Sequence, residues 1–574
     1  MQRILFLIIL ISFTSKAQMT PFESTGGTET GTYPEVISFY QDLARQFPQS
    51  AKLLEMGSTD SGKKLHLFII DLSGSFNLKE LQAAGKTMVL INNGIHPGEP
   101  DGIEASMMLA RDLLSGKNAL PENTVLSILP LYNIGGALNR NSTSRVNQNG
   151  PVSYGFRGNA RNYDLNRDFI KADTRNAFSF YEIFHLVNPD VFIDTHVSNG
   201  ADYQYPITHL ATQHNRIGSP MGNYIHDQFT PELEQLMEAS GNRITPYVNV
   251  FNRTPDERGF SQFMDAPRYS TGYAALFGTL GFMIETHMLK PFDVRVKSSY
   301  DFLINVLKIV GRDGAKIQTL RRETTSGLVP GTLHPIDWKL DEAQSRKIMF
   351  AGYEGTMQKS EVTGLDRLKY DRNAPFEKEI PYFDTFIPSK EIIVPSAYVI
   401  PQGWHTVIDR LIANGAVFTR LQADTTIAVE SYRINEVSSA SNPYEGHFPH
   451  RSMSVTRHEG TVSFRAGDYV FPLSQKAGRY IIETLEPEAT DSFFRWNFFD
   501  TILQQKEGFS PYVFEDLALQ ILKESPSLNR EFQKKKSEEP EFSQNWYAQL
   551  NYIYEHSEYY EKAHMQYPVY RILK

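Results

Sequence analysis

The chain has no cysteine. No disulfide can staple it, no lipid can be attached through sulfur, and no thiolate can serve as nucleophile or metal ligand. Any metal site must be built from His, Asp and Glu. A strong charge of one sign is also missing. The net charge of −9 over 574 residues is small, and no basic stripe of the kind that grips phosphates is present, so no nucleic-acid partner is expected. No Gly-x-Ser-x-Gly elbow stands at a recognisable strand–helix junction, and there is no internal repeat or low-complexity tract. Past the N-terminus no stretch reaches 18 consecutive apolar residues, so the mature chain is not expected to span a membrane.

The N-terminus reads as a targeting segment. Arg3 precedes an almost unbroken apolar run over residues 4–13, and Ser15-Lys16-Ala17 offers small residues at the −3 and −1 positions. This predicts a cleavable signal peptide over residues 1–17, cut before Gln18, and a secreted or periplasmic protein.

The length exceeds one ordinary core, so two or three domains are expected. Residues 34–47 have a helical period, with Ile37, Tyr40, Ala44 and Phe47 on one face. Strand candidates at 67–71, 87–92, 125–129, 191–194 and 281–284 alternate with helix candidates at 102–114, 174–187 and 298–310. That alternation predicts an α/β fold: a mixed, largely parallel twisted sheet flanked by helices, over residues 18–325. Residues 326–331 read as a linker. Beyond it, 426–434, 461–464 and 478–484 read as extended and 404–413 as a helix. Residues 332–490 are expected to form a smaller mixed or β-rich domain, and 491–574 an aromatic-rich helical region.

Ligands of such sheets bind beyond the carboxyl ends of the strands. Two histidines lie there. In Ile91-Asn92-Asn93-Gly94-Ile95-His96-Pro97-Gly98-Glu99 an apolar strand runs into a Gly/Pro turn carrying His96 and Glu99. In Val191-Phe192-Ile193-Asp194-Thr195-His196 a second strand candidate ends close to His196. Brought together, two imidazoles and one carboxylate would leave the fourth position of a tetrahedral zinc open, as catalysis requires. A third strand candidate meets a carboxylate at Glu285, costly beside a buried run unless paired or functional. The stretch from Arg157 to Phe169 is rich in Arg and Asn. It reads either as a solvated loop or as a clamp for a carboxylate, which guanidinium binds bidentately.

The ordered set His96-Pro97-Gly98-Glu99, Asp164-Leu165-Asn166-Arg167, Asp194-Thr195-His196 and Ile284-Glu285 resembles the zinc metallocarboxypeptidase family, with the carboxypeptidase A-like fold, over about residues 30–312. Ala466-Gly467-Asp468-Tyr469 through Leu485-Glu486-Pro487-Glu488 is similar to extra C-terminal regions of bacterial members. The resemblance implies one Zn2+ per chain, held by His96, Glu99 and His196. It implies Glu285 as general base and Arg157 as the group polarising the scissile carbonyl. Asn166 and Arg167 would hold the free C-terminal carboxylate of a peptide substrate. Asp164 would accept from the first ligand histidine, and Tyr269, or else Tyr273, would cap the substrate. His287 is a candidate pocket wall. The motif after the second strand departs from the family's Asn-Pro-Asp-Gly, being Asn133-Ile134-Gly135-Gly136. The implied activity is removal of C-terminal residues from peptides. A zinc amidohydrolase or deacylase on the same fold, acting on peptidoglycan peptides or acylated amino acids, and a binding module without turnover are the alternatives.

Overall fold

The computed structural model describes residues 18–326 and 328–573; the expected signal segment 1–17 lies outside them. Among the described residues nine strands fall before residue 290: β1 (Ala51–Ser58), β2 (Lys64–Ile70), β3 (Thr87–Asn92), β4 (Thr124–Leu129), β5 (Val191–Ser198), β6 (Ile207–Ala211), β7 (Ile244–Pro246), β8 (Phe260–Ser261) and β9 (Leu280–His287). All but β8 form one sheet in the order β1-β2-β4-β3-β5-β9-β6-β7. The β4-β3-β5-β9 centre and the β6–β7 pair are parallel; the other junctions are antiparallel. The sheet is therefore mixed, with helices packed against it. Every residue of β3, β4 and β5 is buried, which explains why these strands read as near-continuous apolar runs.

Helix Asp101–Leu114 lies tight on β5: a Cβ at Gly102 would come within 2.2 Å of the Thr195 side chain. Helix Phe292–Thr325 runs 34 residues, well past residue 310, where the sequence pattern places its end. Its two internal glycines mark close packing, not a stop. A Cβ on Gly311 would meet Pro121 at 2.6 Å, and one on Gly314 would meet Thr87 Oγ1 at 2.1 Å.

Beyond residue 328 the chain is rich in β structure. A long hairpin, Arg346–Lys359 with Asp366–Phe383, continues onto β8 by parallel pairing. A six-stranded sheet follows, in the order Thr419–Arg420, Tyr469–Pro472, Ala397–Ile400, Tyr570–Ile572, Thr425–Ser439, His450–Phe464. The C-terminal strand Tyr570–Ile572 thus sits inside this sheet. Helices Pro511–Glu524, Pro526–Glu538 and Trp546–Glu555 gather their own aromatic cluster around Phe514, Phe532, Phe542 and Tyr554. One buried apolar cluster nevertheless runs from Val36 to Val569, so both halves of the chain share it.

A second local expectation also fails. Residues 478–484, read as extended for their β-branched Ile-Ile-Glu-Thr, form the helix Gly478–Leu485. All eight of its residues are buried, and packing on every side overrides the weak strand propensity.

Candidate active site

His96 and Glu99 sit in the turn after β3, and His196 near the end of β5, in register two residues beyond the point where β3 stops. The segment after β4 braces that turn and needs its own glycines. Asn133 reaches into the turn, accepting from Gly136 N at 2.8 Å and donating to the carbonyls of Ile95 (3.1 Å) and Arg157 (2.9 Å). A Cβ at Gly136 would strike the Phe156 carbonyl at 2.3 Å. The Gly-Gly pair thus lets the turn and the Arg157 loop share one anchor.

The three side chains converge and are almost fully buried. His96 Nδ1 lies 3.2 Å from His196 Nδ1, and Glu99 Oε2 lies 3.4 Å from the first and 3.2 Å from the second. The opposite edges are committed. His96 Nε2 meets Asp164 Oδ1 at 2.8 Å, and His196 Nε2 meets Asp194 Oδ2 at 2.8 Å. Each carboxylate draws the ring proton to Nε2, so both Nδ1 atoms turn lone pairs toward the Glu99 oxygen. Three acceptors facing one another repel unless a cation or proton lies among them. The edge of a tetrahedron with bonds of 2.0–2.1 Å, the usual Zn–N length, is about 3.3–3.4 Å, close to the triangle observed. The donor set, its burial and its outer carboxylates all fit a zinc ion.

The electrostatics agree. Burial works to raise the Glu99 carboxyl, but Arg145, His96 and His196 outweigh it and hold it well below the usual carboxylate range. Burial likewise opposes charge on His196, and Asp194 and Glu99 overcome it. Asp164 is buried too, yet His96, Arg157 and Arg167 keep it ionised far below the ordinary range.

These groups open onto a cavity of about 530 Å³. Glu285, Arg157, Asn166, Arg167 and Tyr269 all line it, with the three candidate ligands. Glu285 lies next to His196 on β9, and burial pushes its carboxyl up to about 7, opposed by His196 and Arg157. Arg157 donates to Asp164 Oδ2 from Nε (3.0 Å), with Nη2 2.9 Å from the same oxygen, while its Nη1 lies 3.5 Å from Glu99 Oε1. Asn166 accepts from Ser270 N at 3.1 Å, which turns its amide nitrogen away as a donor. The Arg167 guanidinium lies over the Tyr269 ring, 4.5 Å from its centre.

Two sequence candidates lie elsewhere. Tyr273 is fully buried, stacked on Tyr181 and donating to Asn414 Oδ1 at 2.6 Å. His287 is also fully buried, stacked on Tyr203 at 4.1 Å, and forms no part of the cavity wall. Several cavity residues were not among the sequence candidates, Arg145 and Tyr247 among them. Arg145 donates to Glu99 Oε1 at 2.8 Å, and Tyr247 projects from just beyond β7. Neither belongs to a local motif, so no signal in the sequence marks them.

Residues 36–204 match the family model described as zinc carboxypeptidase. Over this segment the chain is similar to that family. The match takes in His96, Glu99 and His196. Full-length relatives extend the comparison. Carboxypeptidase 2 of Trichophyton equinum is 22% identical, over 84% of this chain and 86% of its own. Carboxypeptidase 2 of Trichophyton rubrum is 22% identical, over 81% and 84%. Among solved structures, a metallo-carboxypeptidase from Burkholderia cenocepacia is 16% identical with a TM-score of 0.36, covering 49% of this chain and 69% of that one. Of the described helices, none is long and apolar enough to cross a membrane.

Proposed function

We propose that this metallocarboxypeptidase binds one zinc ion through His96, Glu99 and His196 and removes C-terminal residues from peptides. The observation that carries the reading is the triangle of inward-facing donors, with both outer imidazole nitrogens held by carboxylates, in one cavity with Glu285 and Arg167.

Zinc, when bound there, supplies Lewis-acid polarisation of water and of the scissile carbonyl. Glu285 takes the proton of the attacking water and delivers it to the leaving amine. Burial raises its carboxyl in the metal-free protein, the direction that suits a group taking up a proton. Arg157 places a positive charge beside the oxygen that becomes negative. Asn166 and Arg167 bind the terminal carboxylate and so fix which peptide bond reaches the metal, with Tyr269 as the neighbouring wall. Asp164 orients His96 and ties it to Arg157.

Residues 18–325 are taken as the catalytic unit, with 332–490 and 491–574 as accessory regions, and the apolar N-terminal run supports export to a periplasmic or extracellular space. The test is cleavage of one peptide with a free and with an amidated C-terminus, read by mass spectrometry alongside metal content. Loss of single C-terminal residues from the free peptide alone is expected. Equal cleavage of both would favour an amidohydrolase. No zinc and no cleavage would leave a binding module.

A further inference from the structure

The turn that joins Thr425–Ser439 to His450–Phe464 leaves its own sheet and reaches the catalytic half of the chain. It is tight. Tyr444 and His447 exchange backbone hydrogen bonds at 2.8 and 3.1 Å, and Glu445 and Gly446 both have positive φ, 50° and 79°. That is the geometry of a type I′ turn. Glycine is required at its second position, because a Cβ on Gly446 would lie 2.6 Å from the Tyr163 hydroxyl. His447 Nε2 pairs with Asp173 Oδ2 at 2.7 Å and pins the turn in place.

Two side chains of this turn meet the carboxylate clamp. Glu445 Oε2 accepts from the backbone N–H of Asp164 at 2.9 Å, at the start of the short turn that carries Asn166 and Arg167. The Tyr444 hydroxyl accepts from Arg167 Nε at 3.0 Å, and its ring stacks near Trp496. Arg167 is thereby restrained at three places: Nε by Tyr444, Nη1 by the Asn166 carbonyl at 2.9 Å, and its face by the Tyr269 ring. Nη2 has no protein hydrogen-bond acceptor among the described residues.

From this juxtaposition we infer that Tyr444 and Glu445 are positioning residues, through which the β-rich C-terminal half of the chain preorganises Arg167 and its turn to receive the substrate's terminal carboxylate. The inference rests on the carboxypeptidase reading. A long guanidinium held beforehand loses less freedom on binding, so the effect belongs in ground-state recognition rather than in the chemical step.

The experiment is steady-state kinetics of the full chain, zinc-loaded, on one peptide with a free C-terminus, with calorimetric titration of N-acetylphenylalanine and of its amide. Y444F keeps the ring stacked but removes the acceptor. E445A removes the second contact, whereas E445Q keeps a carbonyl oxygen for the Asp164 N–H. Y444F and E445A should each raise KM, and weaken N-acetylphenylalanine binding, by about three- to tenfold with kcat little changed. E445Q should restore most of the E445A loss. Zinc content should not move. An unchanged KM and unchanged N-acetylphenylalanine affinity in both variants would overturn the inference, as would a fall in kcat alone. If the wild type binds N-acetylphenylalanine but removes no residue, the assigned reaction fails, while the binding data still decide the positioning role. No binding to the wild type would overturn that role too.

Discussion

Glu285 and His196 stand side by side on neighbouring parallel strands, paired in register at the carboxyl end of the sheet. Both open into the same cavity. The separation of the candidate base from a candidate metal ligand is thus set by backbone hydrogen bonding, not by the pose of a loop. Replacing Glu285 by Gln preserves shape and removes the proton acceptor. E285Q should retain zinc, measured by elemental analysis, and lose activity by about 10²- to 10⁴-fold. A variant with near-normal turnover would exclude the base role.

The outer carboxylates should matter nearly as much as the candidate ligands. Asp194 Oδ2 accepts from His196 and from the Ser270 hydroxyl, and its Oδ1 accepts from Asn92 at 3.2 Å. Asn in its place would set an amide donor against one of those donors or release the ring. D194N should bind zinc about 10- to 100-fold more weakly in competition with a chelator of known affinity. D164N should behave similarly. Unaltered affinity in both would show that the imidazoles need no outer support.

Metal should stabilise the fold. The donor triangle brings together residues separated by 97 and 100 positions, so it exists only in the folded chain. A ligand that binds only the folded state contributes about 2.7 kcal/mol at a hundred times its Kd. Chelation should therefore lower Tm, and added zinc should restore it. H96A should show a lower Tm that neither treatment changes. A wild-type melting curve indifferent to chelator would argue against tight occupancy.

Buried histidines away from the cavity, His185 and His334 among them, give the stability a pH dependence. Burial pushes His185 and His334 down to about 4, with nearby Arg321 and Arg479 adding to the effect. Their folded pKa lies below the unfolded value near 6.5, so the unfolded chain takes up protons first as pH falls. Their contribution is fully present above about pH 6.5, is lost progressively down to about pH 4, and changes no further below that. His196, shifted the other way in the metal-free protein, acts in the opposite sense. The measurement is therefore a difference. Denaturation of the chelated protein between pH 7 and 4.5 should be less pH-sensitive in H334N than in the wild type. Parallel curves would show that His334 does not titrate as described.

Much of the first half could be read because its central strands are buried on both faces. Residues 87–92 match β3 end to end. The strands carrying His196 and Glu285 run further than expected, to Ser198 and His287, because Asp194 and Glu285 look like polar stops in a linear pattern. Asp194 is in fact paired inside the protein and stops nothing. In the second half the long hairpin over 346–383 is exposed on much of both faces, so no apolar alternation announces it. The contacts of Arg167 with Tyr444 and of Asp164 with Glu445 span 277 and 281 positions, beyond the reach of any local pattern.

The placement of Tyr570–Ile572 bears on the order of events during synthesis. This strand lies between Ala397–Ile400 and Thr425–Ser439, and Arg571 within it is almost wholly buried against Glu486 at 3.0 Å. Its seat in the middle of the sheet stays vacant until residues 570–572 have left the ribosome. The segments on either side, and the turn bearing Tyr444 that grows from one of them, must wait for it. A chain cut short before Tyr570 would therefore carry every candidate site residue beside an unfinished sheet.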